Sequence, residues 1–135
     1  MVLSGENSSR LVQIVVILFL LLIFFTVPHI LEDFAYGEPI ERGIPLPLLA
    51  LIISIIFSLQ ALGLFWMGQR QRRGLIVHLL VGLFWPIASG FTQLSAILNE
   101  PIYRSGLISV IYVVGMIIVG ILLFLSSIIS LKKSS

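Results

Sequence analysis

Apolar positions in this chain fall into four long blocks, Leu11–Leu31, Leu46–Met67, Leu75–Leu98 and Gly106–Leu131, separated by short polar intervals. A run of about 20 apolar residues matches a hydrocarbon core of roughly 30 Å. In lipid only helices and closed barrels satisfy every backbone N–H and C=O. A stretch such as "IVVILFLLLIFF" lacks the alternation of a barrel strand. The pattern therefore predicts an all-α polytopic membrane protein. Residues 1–135 are expected to form a single domain, an antiparallel bundle of four transmembrane helices. Within the first block the apolar run Ile14–Val27 is at the upper limit of a secretory signal's hydrophobic region. However, only Arg10 precedes it as a basic residue, and "TVPHILED" after it offers no A-x-A-like cleavage site. It is expected to be a membrane helix.

Small and weakly polar residues mark the faces on which membrane helices pack, because lipid supplies no hydrophobic drive between them. In the second span Ala50, Ser54, Ser58 and Ala61 share an arc of roughly 80° at 100° per residue. In the fourth, Ser105, Ser109, Tyr112, Met116, Gly120 and Ser127 share a similar arc. The third carries a stripe of His78, Gly82, Trp85, Pro86, Ser89 and Gln93 along nearly its whole length. Pro86 cannot donate to the Gly82 carbonyl, so a kink or local opening is expected near the middle of that span. The first span has no Gly, Ala, Ser or Pro between Leu11 and Phe25. It is expected to be the most lipid-exposed helix, or to pack against a partner through bulky side chains, with spans two to four forming the tighter unit.

Composition agrees with the pattern: 59% of the 135 residues are hydrophobic and 10% charged, against about 25% charged in soluble domains. The few charges are sorted. Arg10, Arg70, Arg72, Arg73, Lys132 and Lys133 flank one side of the spans against Glu6 alone, a net +5. Glu32, Asp33, Glu38, Glu41 and Glu100 flank the other against Arg42 and Arg104, a net −3. The positive-inside rule puts the basic side, with both termini, in the cytoplasm. Phe34, Tyr36 and Tyr103 then mark the outer interface and Trp66 the inner one. The basic fringe suits anionic lipid heads and gives no sign of nucleic-acid binding. The expected location is the cytoplasmic or plasma membrane. There are no cysteines, which excludes disulfides, thiolate metal sites and iron–sulfur clusters.

Two groups of residues are candidates for chemistry. His29, Glu32 and Asp33 stand at i, i+3 and i+4, so they share one face if the first helix reaches Phe34. A histidine and carboxylates so spaced can serve as catalytic acid and base or as metal ligands. Glu38, Glu41, Asn99 and Glu100 lie on the same side as further ligands. Such oxygen-rich, thiol-free ligation suits zinc, copper(II), manganese or calcium. The second group is the stripe His78, Gly82, Trp85, Ser89 and Gln93, which beside the Pro86 opening forms a candidate pocket for a lipophilic molecule. His29 and His78 are expected most of a bilayer apart, too far to hold one haem between them. No P-loop, G-x-G-x-x-G, G-x-S-x-G or H-E-x-x-H motif is present.

Three functions follow from this reading. The first is a non-catalytic accessory or assembly subunit, its partners the bilayer and either other membrane subunits or further copies of itself. The second is a protein that binds a quinone- or sterol-like lipophile, or a membrane enzyme with an outer-face His and carboxylate site. The third is an oligomeric transporter or channel. No cofactor is specified by the sequence.

Overall fold

The computed structural model describes residues 6–134. They form helices α1 (Glu6–Tyr36), α2 (Glu38–Glu41), α3 (Leu46–Gly68), α4 (Arg72–Trp85), α5 (Phe91–Asn99) and α6 (Leu107–Lys133). A π-helical turn, Pro86–Gly90, joins α4 to α5. Among the described residues four continuous helical stretches are long and apolar enough to cross a membrane: Ser9–Tyr36, Leu46–Gly68, Arg72–Asn99 and Leu107–Lys133. The side chain of Glu6, counted above with the basic side, lies outside the described residues. Most carboxylates outside the spans gather at one end of the bundle and most basic side chains at the other, giving it an acidic and a basic end.

Local chemistry sets the helix ends. α1 runs through Pro28, which lacks the N–H that would bond the Phe24 carbonyl, and stops at Gly37. Gly37 takes a left-handed φ of 69° that a side chain would resist. α3 starts at Pro45-Leu46-Pro47, where proline's missing N–H falls among donors that have no helical partner. Lys132 and Lys133 close α6, where cations meet the negative end of the helix dipole.

The helices pack in the order α1, α6, α4, α3, with α6 and α4 in the middle. Buried positions on α1 (Val15, Phe19, Leu22, Thr26, His29) and on α6 (Ser109, Val113, Met116, Gly120, Leu123, Ser127, Ser130) recur at alternating spacings of four and three. That is the seam of left-handed coiled-coil packing. α4 meets α6 at a close crossing: a Cβ on Gly82 would stand 2.7 Å from the Phe124 backbone nitrogen and 2.8 Å from the Gly120 carbonyl oxygen. The Pro86 ring fills the space beside Gly120, where a Cβ would meet its Cγ at 2.5 Å.

The structure reverses the expected ranking of spans one and two. α3 is the least buried span, and Ala50, Ser54, Ser58 and Ala61 all face outward. α1 instead supplies much of the core. Its bulky side chains need small partners only on the opposing helix, and α6 provides them: Phe25 lies over Gly115, where a Cβ would come within 2.6 Å of the ring. Ser54 and Ser58 donate to the Ala50 and Ser54 carbonyls at 2.8 and 2.7 Å, so their hydroxyls are satisfied within α3. In the fourth span the stripe holds at Ser109, Met116, Gly120 and Ser127, while Ser105 is exposed and Tyr112 half-buried.

Candidate functional site: an ion-paired cap over a membrane-level cleft

α1 carries His29, Glu32 and Asp33 up to the acidic end on one helical face, because the helix continues two residues past Phe34. Asp33 Oδ2 lies 3.7 Å from His29 Nε2. The same nitrogen is 2.6 Å from Ser89 Oγ, on the π-helical turn. The turn widens the helix where Pro86 removes a hydrogen bond, and such π segments recur at functional sites. One hydrogen bond therefore joins the two groups that the sequence kept separate.

Arg104 is the residue that sequence reasoning missed. Its Nη2 donates to Asp33 Oδ1 at 2.7 Å and to Glu38 Oε2 at 2.6 Å, and its Nη1 is 4.0 Å from Glu32 Oε2. Only 5% of its side chain is exposed. Tyr36 and Tyr103 flank the guanidinium, with ring centroids 6.0 and 5.4 Å from its carbon. Arg104 sits in a left-handed backbone conformation, φ 44°, strained for a residue with a side chain. Its aim is thus set by a loop conformation that spacing along the chain does not reveal.

Further hydrogen bonds tie the cap to the neighbouring helices. Ser109 Oγ donates to Glu32 Oε1 at 2.5 Å and accepts from the Ser105 N–H at 3.0 Å. Tyr103 OH donates to Gln93 Oε1 at 2.8 Å, and Arg42 pairs with Glu38 at 2.8 Å. Burial alone raises the Glu38 carboxyl, but the Arg104 hydrogen bond and the charges of Arg104 and Arg42 outweigh it and hold the group below the ordinary glutamate value. Burial would lower Arg104, yet its bonds to Glu38 and Asp33 raise it. Burial pushes the Tyr103 phenol well up, against the opposing charge of Arg104.

Beneath the cap lies a cleft of about 260 Å³ between α3 and the α4–π–α5 segment. Asp33, Glu38 and Arg42 roof it. Ser89, Thr92 and Gln93 line its polar wall, and Leu49, Ile52, Ile53, Ile56 and Phe84 its apolar one. The Trp85 indole also borders it, and its Nε1–H donates to Gln60 Oε1 of α3 at 2.7 Å. An apolar groove of about 280 Å³ shares Ile56 and Phe84 with the cleft and extends along α3 and α4 past Leu59 and Leu80.

Of the sequence-derived pocket residues, Trp85, Ser89 and Gln93 line the cleft, while His78 and Gly82 do not. His78 Nδ1 donates to the Gly74 carbonyl at 2.7 Å, and its ring packs edge-on against Phe19 with centroids 4.4 Å apart. Gly82 is taken up by the crossing with α6. Phe19 precedes His29 by ten residues, about 15 Å along a helix. The two histidines are therefore about half a hydrocarbon thickness apart, less than expected. Among the described residues no three His, Asp or Glu side chains converge as metal ligands. Asp33 and Glu38 turn to Arg104, whose guanidinium takes the place between them.

Comparison with family models, with curated proteins and with solved structures gave no match.

Proposed function

We propose that the chain is a small integral membrane protein that binds one lipophilic molecule in the cleft between α3 and α4–α5. The observation that carries this reading is the cleft's polarity gradient. Ionic and hydroxyl groups stand at the acidic end, and a continuous apolar groove leads away from them between two membrane-length helices. Ligand sites are mostly apolar concavities with a few placed polar groups, and this cleft has that composition. In the same reading the acidic cap faces outward and both termini are cytoplasmic, as the charge asymmetry of the loops favours.

Photo-crosslinking tests the proposal. A diazirine-bearing alkyl probe in phosphatidylcholine nanodiscs is expected to label Ile52, Ala88 and Thr92 saturably. Equal, unsaturable labelling of the outward Leu31 and Ile118 would contradict it.

A second reading, an accessory subunit docked on a larger complex, is favoured by one observation. The small-residue face Ala50, Ser54, Ser58 and Ala61 lies exposed on the least buried span, and such faces allow close helix approach in membranes. The two readings are compatible, because the stripe and the cleft use different residues of α3.

A further inference from the structure

Every charged side chain of the cleft already has a partner from the protein. Asp33 and Glu38 hold Arg104, and Glu38 also holds Arg42. An ammonium head entering the cleft would have to displace Arg104 from Asp33 or Glu38, and a phosphate head would face those two carboxylates beside a half-exposed Arg42 already paired to Glu38, so either carries an electrostatic cost. An uncharged head group avoids that cost.

The other hydroxyl and side-chain carbonyl oxygens of the cleft are also engaged, with one exception. The Thr92 hydroxyl donates to the Ser89 carbonyl at 2.8 Å, and Gln93 Oε1 accepts from Tyr103. Ser89 is different. Its Oγ meets His29 Nε2, the nitrogen that also lies nearest the Asp33 carboxylate, while His29 Nδ1 is buried without a partner. A proton on Nε2 satisfies both contacts, because it is donated to Ser89 Oγ and faces the Asp33 charge. A proton on Nδ1 would instead strand a buried donor and set the bare Nε2 against the carboxylate. With Nε2–H as donor, the serine's own O–H is not used by histidine. Ser89 borders the cleft, so that hydrogen is available to an occupant.

We infer that the cleft takes an uncharged lipophile with a carbonyl-type oxygen, which accepts a hydrogen bond from Ser89 while His29 polarises the serine from behind. This deepens the proposed function and rests on it. Size agrees with the chemistry. At about 260 Å³ the cleft is slightly below the usual range of ligand pockets, roughly 300–1,000 Å³. That space suits a ring-sized head, and the adjoining groove accommodates an alkyl tail.

Trp85 borders the cleft and is one of two tryptophans in the chain. A Trp66→Phe background therefore isolates its fluorescence. The full chain in phosphatidylcholine nanodiscs is titrated with a short-chain alkyl-p-benzoquinone, with the matching alkylbenzene as competitor. Because phospholipid esters are present throughout, saturation by the probe separates it from bulk lipid. The expected result is saturable quenching, weakened about tenfold by Ser89→Ala, as for loss of one hydrogen bond, and little displaced by the alkylbenzene. Ala88→Phe, which fills the cleft and leaves the His29–Ser89 contact in place, abolishes saturation. Saturable quenching that is unchanged in Ser89→Ala and fully displaced by alkylbenzene would overturn the head-group inference and leave the cleft reading standing. Unsaturable quenching, identical in the parent and Ala88→Phe, would overturn both.

Discussion

His29 and Ser89 stand sixty positions apart in the chain and meet at 2.6 Å in the fold. That contact ties α1 to the π-helical turn of the third span and puts an imidazole behind a hydroxyl on the cleft wall. It also explains why two features of little consequence alone, a histidine at a helix end and a serine in a membrane span, belong to one site. The ion-paired cap above holds the pair in place through Asp33 and Arg104.

Arg104 is expected to dominate the stability of the acidic end. Arg104→Gln leaves Asp33 and Glu38 facing each other without their shared cation, and breaking a buried pair from one side costs about 3 kcal/mol or more. Thermal unfolding in mild detergent reads this as a clear fall in Tm. Arg104→Lys is expected to recover only part of it, because an ammonium lacks the planar fork that reaches several carboxylates at once.

The acid dependence of stability follows from Glu38. Its folded-state carboxyl titrates below the ordinary 4.5, so its contribution is present above about pH 4.5 and is lost as pH falls through the folded value. At the other extreme the raised Tyr103 phenol favours the neutral form, and its contribution is lost as pH rises above the ordinary value of 10.0. Melts from pH 7 downward should show the acid loss in the parent and a smaller one in Arg104→Gln. An equal loss in both would remove Glu38 as the cause.

Gly82→Ala should destabilise the crossing of α4 and α6. Alanine normally gains helix propensity over glycine, but here the added Cβ meets backbone atoms of Phe124 and Gly120. A net loss of about 1–3 kcal/mol is expected from overpacking. Gly68→Ala, where a Cβ meets nothing within 4 Å, is the matched control and should be neutral or stabilising.

The outward stripe of α3 separates stability from association. Ser54→Leu and Ala61→Leu alter exposed positions and should leave the melting of the isolated chain within about 0.5 kcal/mol of the parent. If α3 docks on a partner, the same variants lose co-purifying protein in size-exclusion profiles. Unchanged profiles would leave the accessory reading without its supporting face.

Topology is checked simply, because the chain has no cysteine. A single cysteine at Glu41 should react with a membrane-impermeant maleimide on intact cells, and one at Arg70 only after permeabilisation. The opposite pattern would invert the proposed orientation.

Much of the fold was legible in the sequence, for physical reasons. Length and apolarity dictate the spans, and Pro86 dictates a break in the third, seen as the π-helical turn. The stripe Trp85, Ser89 and Gln93 was readable because helical periodicity is strong. The ranking of α1 and α3 was not, because small residues on α6 serve bulky residues on α1 and leave no mark in the sequence of α1. Arg104 escaped because its reach of 66 and 71 positions to Glu38 and Asp33 depends on a loop in left-handed backbone. His78 shares the stripe but does not line the cleft: its ring is hydrogen-bonded to the Gly74 carbonyl one turn back, a contact that helical spacing does not reveal.

Native mass spectrometry of the chain, released gently from its source membrane, tests the cleft most directly. One uncharged lipophile of defined mass is expected on the parent and absent from Ala88→Phe, with both proteins folded. A parent that carries no such molecule, or carries it equally after the cleft is filled, would rule out the cleft as a lipophile site.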